Sequence, residues 1–266
     1  MLLSGQWVIE NIFKFETTLS VVINFIGGLY FLSLLVRQKN SIEKRMISLS
    51  QLSKSFGQQK VVDQASASFV KGEVTSIIGP NGAGKSTVLS MASRLLAKDS
   101  GSVLIENQEV VDWDTKALAK KLAVLRQSNN LNMRFTVREL VAFGRFPYSQ
   151  GKLTKHDNEV MDKAIRYLDL EPIQNKYLDQ LSGGQRQLAF IAMVVAQDTD
   201  YVFLDEPLNN LDIKHSLQIM KNIKTLAHEL GKAVVIVIHD INFASCYSDN
   251  IVALKKRQSG GQWYRC

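Results

Sequence analysis

Val74-Thr75-Ser76-Ile77-Ile78 runs straight into Gly79-Pro80-Asn81-Gly82-Ala83-Gly84-Lys85-Ser86-Thr87, and the reading of this junction decides the fold. The first five residues are a short apolar run of the kind that forms a buried strand. Residues 85–96 follow a helical pattern. Between them stands the spacing GxxxxGK[ST], which has a physical meaning only in such a strand–loop–helix setting. Triphosphate oxygens need several converging backbone N–H donors, and a glycine-rich turn brings the backbone close enough to supply them. The start of the following helix adds a favourable dipole. Lys85 is then expected to bridge the terminal phosphates of ATP, and the Ser86 hydroxyl to hold Mg²⁺.

Outward from this junction, short apolar runs alternate with longer helical patterns from Met46 onward, as in an α/β protein. Strands are predicted near residues 47–52, 74–78, 123–126, 201–204, 234–238 and 251–254. Helices are predicted over 85–96, 137–143, 156–168, 184–196 and 214–230. In the last helix Ile219, Ile223, Leu226 and Leu230 mark one apolar face, and Gly231 supplies a stop. A chain of 266 residues with 45% hydrophobic content buries a sizeable core without disulfide staples. Cys246 and Cys266 have neither metal-binding nor redox spacing. The net charge of +7 is scattered and forms no basic stripe interleaved with aromatics, so no nucleic-acid partner is expected.

A second apolar run, Tyr201-Val202-Phe203-Leu204, ends on Asp205-Glu206-Pro207. Acids closing a buried strand are costly unless they have a task. Beside a phosphate loop, Asp205 is expected to anchor Mg²⁺ through water and Glu206 to orient or activate the attacking water. His239 closes the run Val234–Ile238, at the strand end where open α/β sheets place their ligands. It is a candidate to bond the γ-phosphate and report its presence.

Leu181-Ser182-Gly183-Gly184-Gln185 lies just upstream of the Asp205-Glu206 strand. With Gly79–Thr87, Asp205-Glu206 and His239 it makes four motifs in one order. Over about residues 46–257 the chain thereby resembles the ABC-type ATPases. The resemblance implies a P-loop NTPase nucleotide-binding domain with a helical subdomain at about 130–196. It implies that Phe56 stacks on adenine, that Gln127 contacts Mg²⁺ and couples the site to a transporter, and that Leu211-Asp212 end a loop crossing a dimer interface. Two copies, or this chain and a second ATPase, would pair head to tail. Ser182, Gly183, Gly184 and Gln185 of one copy would then face the nucleotide of the other.

The stretches TVRELVAFGRFPYSQG, DEPLNNLDIKHS and VIHDINFASCYSD look like ATPases of ferric-siderophore importers. Those work at the cytoplasmic face of the bacterial membrane, bound to an integral-membrane permease and served indirectly by a siderophore-binding protein. Arg145, Phe146, Pro147 and Tyr148 fall where such proteins receive the permease. The alternatives are another metal-chelate or cobalamin-type importer, or a non-transport ABC ATPase. A DNA-repair type needs a long coiled coil and an exporter needs a multi-helix membrane domain, and the sequence has neither pattern.

Both ends depart from the family. Residues 17–36 contain no charge, which is about the length that spans a bilayer, and Arg37 and Lys39 follow at once. Residues 1–45 resemble the last helix of the partner permease and are expected to be a permease-like remnant, with 17–36 able to anchor the chain. After Lys255 the family pattern is lost. One codon choice for this tail, read one base later, restores a family-like continuation. Residues 258–266 are therefore expected to be an aberrant, frameshifted tail that leaves the sheet without its closing strand and with an exposed edge.

Overall fold

The computed structural model describes residues 26–34, 46–127, 134–209, 211–257 and 260–265. The chain divides into two compact units, Met1–Arg45 and Met46–Cys266. In the first, residues 26–34 are helical, with Ile26, Leu29, Tyr30 and Phe31 all exposed. The rest of the 17–36 span lies outside the described residues. Among the described residues no helix is long and apolar enough to cross a membrane.

The second unit holds strands β1 (Met46–Phe56), β2 (Gln59–Val70), β3 (Val74–Ile78), β4 (Ser100–Ile105), β5 (Gln108–Glu109), β6 (Leu122–Leu125), β7 (Tyr201–Asp205), β8 (Ala233–Val237), β9 (Asn250–Arg257) and β10 (Gly260–Arg265). They form one sheet in the order β5-β4-β1-β2-β10-β9-β3-β8-β7-β6. From β9 to β6 the pairing is parallel: Thr75 faces Val235 on one side and Asn250 on the other, and Phe203 faces Val124 and Val235. β1 pairs antiparallel with β2 and β4, making a second, differently wound half.

The parallel strands are buried on both faces, so they read as continuous apolar runs. Alternate residues serve different cores. Val202, Leu204, Val234 and Ile236 belong to one, with Leu140, Ile165 and Ile223. Tyr201, Phe203, Val235 and Val237 belong to the other, with Val88, Met91 and the β1 residues Ile47 and Leu49.

Around the sheet in this unit lie helices α1 (Lys85–Ala92), α2 (Thr115–Lys121), α3 (Val137–Phe143), α4 (Phe146–Ser149), α5 (Lys155–Tyr167), α6 (Gly183–Ala196), α7 (Ile213–His228) and α8 (Ile241–Tyr247). α3, α5 and α6 each start on a reciprocal cap: Thr136 with Glu139, Thr154 with Asp157, and Ser182 with Gln185. Such boxes satisfy two otherwise orphaned amides at each helix start. These three helices contribute Val137, Leu140, Met161, Ile165, Leu188 and Ile191 to one core. They form a helical layer between Val137 and Ala196.

The expectation of a sheet without its closing strand is corrected. Residues 260–265 form β10, antiparallel to β9 from Gly260↔Arg257 to Arg265↔Val252, and Gly261 also pairs with Val62 of β2. The tail thus closes the gap between the two halves of the sheet. Ladder bonds are made by the backbone, so a segment whose side chains depart from the family can still close an edge.

Candidate nucleotide site

The site forms where the C-terminal ends of β3, β7 and β8 meet the start of α1. Gly84 is the N-cap of α1 with φ 89°, and a Cβ there would lie 2.9 Å from the Val61 carbonyl oxygen. Both its left-handed conformation and its close approach to β2 require glycine. The loop wraps Lys85, which is 4% exposed and donates from Nζ to the carbonyl oxygens of Gly79 at 2.9 Å and Pro80 at 3.1 Å. Burial pulls the Lys85 ammonium below its ordinary range, while the carboxylates of Glu206 and Asp205 act the other way. A polyphosphate beside it would favour the charged form further.

Ser86 Oγ donates to Asp205 Oδ1 at 2.9 Å, joining the first turn of α1 to the end of β7. Asp205 is 7% exposed, and burial raises its carboxyl above the usual range, with Glu206 adding to the effect and the Ser86 hydrogen bond opposing it. Glu206 leaves the strand with φ 52°. A non-glycine residue pays about 1–3 kcal/mol for such a conformation. Its amide donates to the Val237 carbonyl at 3.1 Å, which fixes the turn to β8. The side chain is thereby delivered to three neighbours. Gln127 Nε2 donates to Oε2 at 2.5 Å, Asn209 Nδ2 donates to the same oxygen, and His239 Nε2 lies 2.7 Å from Oε1.

A cleft of 590 Å³ runs over these groups, lined by Val61, the loop residues Asn81 to Thr87, Gln127, Glu206, Asn209 and His239. Gln127, Glu206, His239 and the loop residues Asn81 to Thr87 thus meet at one cleft, while Gly79, Pro80 and Asp205 do not line it. Asn209 and Val61 escaped sequence reasoning. Asn209 stands in a loop whose side-chain direction has no local signal, and Val61 looks like any strand residue. Phe56 does not line the cleft; its ring, at the end of β1, is 52% exposed with Lys54 Nζ 5.8 Å from its centroid.

Ser182 to Gln185 also lie outside this cleft. Ser182 caps α6, its Oγ accepting from the Gln185 amide at 3.2 Å while Gln185 Oε1 accepts from the Ser182 amide at 3.2 Å. Leu211 packs against the core beneath α7, and Asp212 caps that helix by accepting from the His215 amide at 2.8 Å.

The stretch 145–148 is corrected in part. Arg145 is 3% exposed. Its Nε donates to Asp157 Oδ1 at 2.9 Å, its Nη1 to the Ala196 carbonyl at 2.9 Å, and its guanidinium lies 4.0 Å from the Tyr148 ring centroid. A side chain used in this way is not a contact surface. Phe146 is exposed, and it borders a 330 Å³ apolar groove with Phe135, Glu139, Ala142, Phe143, Ser149, Gly151 and Leu153.

Replacing Lys85 with Ala is expected to weaken ATP binding by about 10–100-fold, the worth of a charge-assisted hydrogen bond or two. Equilibrium binding of a fluorescent ATP analogue measures this, and unchanged affinity would remove Lys85 from the phosphate site.

The ABC transporter family model matches residues 62–209. The chain is 61% identical over 210 residues to the petrobactin import ATP-binding protein YclP of Bacillus subtilis (strain 168), covering 79% of this chain and 83% of that protein. It is 49% identical to the petrobactin import ATP-binding protein FatE of Bacillus anthracis, over 80% of this chain and 85% of that one. Among solved structures, the dimeric structure of MJ0796, a bacterial ABC transporter cassette, superposes with TM-score 0.70 at 32% identity, over 79% of this chain and 94% of that one. A glycine-rich loop after β3, Glu206 of the acid pair closing β7 and a histidine after β8, meeting at one cleft in a chain so closely related to ATP-binding import subunits, place this protein in the ABC transporter family as an ATP-binding and ATP-hydrolysing subunit.

Proposed function

We propose that this chain powers import of an iron(III)–siderophore complex through a membrane permease. The observation that carries the motor part is the caged Glu206 carboxylate, held by Gln127, Asn209 and His239 beside the phosphate loop. The cargo part rests on the relatives at 61% and 49% identity, whose names specify petrobactin import. ATP binds along the loop from Gly79 to Thr87, with Phe56 free to stack on the base. Asp205 and Ser86 offer hard oxygen donors, and Gln127 stands at the same cleft, which suits Mg²⁺. Mg²⁺ supplies charge neutralisation at the phosphates. Glu206 orients or deprotonates the attacking water, and His239 senses the γ-phosphate.

Two copies pair head to tail, so that Ser182, Gly183, Gly184 and Gln185 of one cover the nucleotide of the other. The exclusion of these residues from their own chain's cleft supports this arrangement. So does the likeness to a dimeric cassette solved in a post-hydrolysis state with ADP and Pi, at TM-score 0.70 and 30% identity. ATP then favours the closed pair by differential binding, and hydrolysis releases it. The protein works at the cytoplasmic face of the membrane. The permease docks at the Phe146 groove with Pro147 and Tyr148 beside it, while the buried Arg145 holds the turn rather than making contact.

The test is uptake of radiolabelled iron–petrobactin in cells supplying a cognate permease and binding protein but no other motor. This chain should restore uptake and Glu206→Gln should not. Equal failure of both, with ATPase activity intact, would sink the siderophore reading and favour another metal-chelate importer. Phe146→Asp is expected to leave the ATPase activity of the isolated protein within about twofold, since exposed substitutions are mild. It should abolish co-purification with the permease, and retained co-purification would move the docking site elsewhere.

A further inference from the structure

The loop that follows Glu206 ends on Asp212, and one residue of the next helical turn reaches back across the molecule. His215 Nδ1 lies 2.9 and 2.8 Å from the two carboxylate oxygens of Asp212, whose Oδ1 also accepts from the His215 amide. A carboxylate only accepts, so Nδ1 carries the proton and the ring orientation is set by Asp212. These bonds, the backbone one first, hold the Asp212 carboxyl below its usual range.

The other edge of the ring lies against the first turn of α6. A Cβ at Gly184 would stand 2.5 Å from His215 Cδ2, 2.6 Å from Cγ and 3.0 Å from Nε2. Gly184 is buried, and its φ is not in the left-handed region. The space that glycine leaves at this position is therefore filled by the imidazole of the same chain. Close approach, and not backbone conformation, constrains this position: a methyl here would force the ring to shift.

We infer that His215 is a positioning residue that ties the first turn of α6 to the Asp212 cap of α7. The ring bears directly on backbone, with no side chain between to absorb a shift. A displacement of Asp212 is transmitted to the amides of residues 183–185. In the head-to-tail pair proposed above, those amides face the partner's nucleotide while Glu206 serves the chain's own. Each chain then ties the Asp212 cap, which follows the loop after its own Glu206, to the turn that holds the partner's ATP. The geometry of the link stands by itself; its consequence for pairing rests on the head-to-tail reading.

The experiment uses the full chain and two readouts. In the first, amide hydrogen exchange is followed in wild type and His215→Ala without nucleotide. Faster exchange confined to the first turn of α6 is expected, with α1 unchanged. Unchanged exchange at residues 183–186 overturns the inference. In the second, Glu206→Gln with and without His215→Ala is titrated with ATP, and dimer formation is read by size-exclusion chromatography with light scattering. His215→Ala should raise the ATP concentration needed for pairing by about tenfold, with nucleotide affinity of the monomer unaltered. An unshifted midpoint overturns the coupling. If Glu206→Gln alone fails to pair, the head-to-tail reading falls, and the exchange result still judges His215. A third variant separates crowding from lost contact. Gly184→Ala should impair pairing, and adding His215→Ala should recover part of it, because the new methyl then has room. No recovery would mean that Gly184 answers to the partner and not to His215.

Discussion

Glu206→Gln lowers steady-state ATP turnover by about 10²–10⁴-fold, the usual worth of a positioned general base. ATP binding should survive. The amide is nearly the shape of the carboxylate, and neither Lys85 nor the loop from Gly79 to Thr87 depends on it for position. What is lost is the proton acceptor. In the native chain Glu206 Oε1 faces His239 and Oε2 takes donors from Gln127 and Asn209, so the carboxylate is aimed by three side chains before it meets water. An amide in the same cage can be held but cannot take a proton from a nucleophile. If the closed pair proposed above is released by loss of the γ-phosphate, the variant should also accumulate as an ATP-bound dimer. Single-turnover phosphate release, with light scattering in ATP, measures both effects. Turnover near wild type would move the base to another residue. Turnover lost together with ATP affinity would indicate a collapsed cleft.

Some of this was legible in the sequence and some was not, for reasons that differ by element. β3 lies at the predicted residues because both its faces are buried, and a strand of that kind announces itself as an apolar run. The same holds for β7 and β8 to within a residue at each end. β2 and β4 went unread. Their burial alternates with exposure, and QKVVDQASASFV carries no sustained apolar run. α1 was expected to reach Leu96 but ends at Ala92, since Ser93 Oγ turns back to the Leu89 carbonyl at 2.9 Å and the chain leaves the helix. Within the site, Lys85, Ser86, Asp205, Glu206 and His239 were readable because each stands at the end of an apolar run or in a glycine-rich turn. The positive φ of Glu206 was not readable. It precedes a proline, which ordinarily favours extended backbone, and the turn is held by an amide bond to Val237 on a separate strand. Arg145 looked like a surface residue because its acidic partner comes 12 residues later, beyond a helix and a turn.

That partner is the subject of the second large effect. Asp157→Ala is expected to destabilise the larger unit by about 3–5 kcal/mol, the cost of leaving a buried charge unpaired. Arg145 and Asp157 are each 3% exposed, so water does not replace the lost contact. Asp157 also closes the cap of α5, accepting from the Thr154 amide at 2.9 Å and the Thr154 hydroxyl at 2.7 Å. Those two hydrogen bonds, followed by the Arg145 guanidinium, hold its carboxyl at about 2 against an ordinary 3.8. A depressed carboxyl stabilises the fold fully above its unfolded value. Its contribution is lost as the pH falls from about 4 through about 2. Urea midpoints should therefore drop steeply for the wild type in that window and much less for Asp157→Asn. Arg145→Met with Asp157→Leu should recover most of the loss, since an apolar pair leaves no charge unsatisfied. If Asp157→Ala costs under about 1 kcal/mol, the range of ordinary surface changes, then Arg145 has found water or another acceptor. The turn carrying Phe146 would in that case be set by α4 itself rather than by the buried pair beneath it.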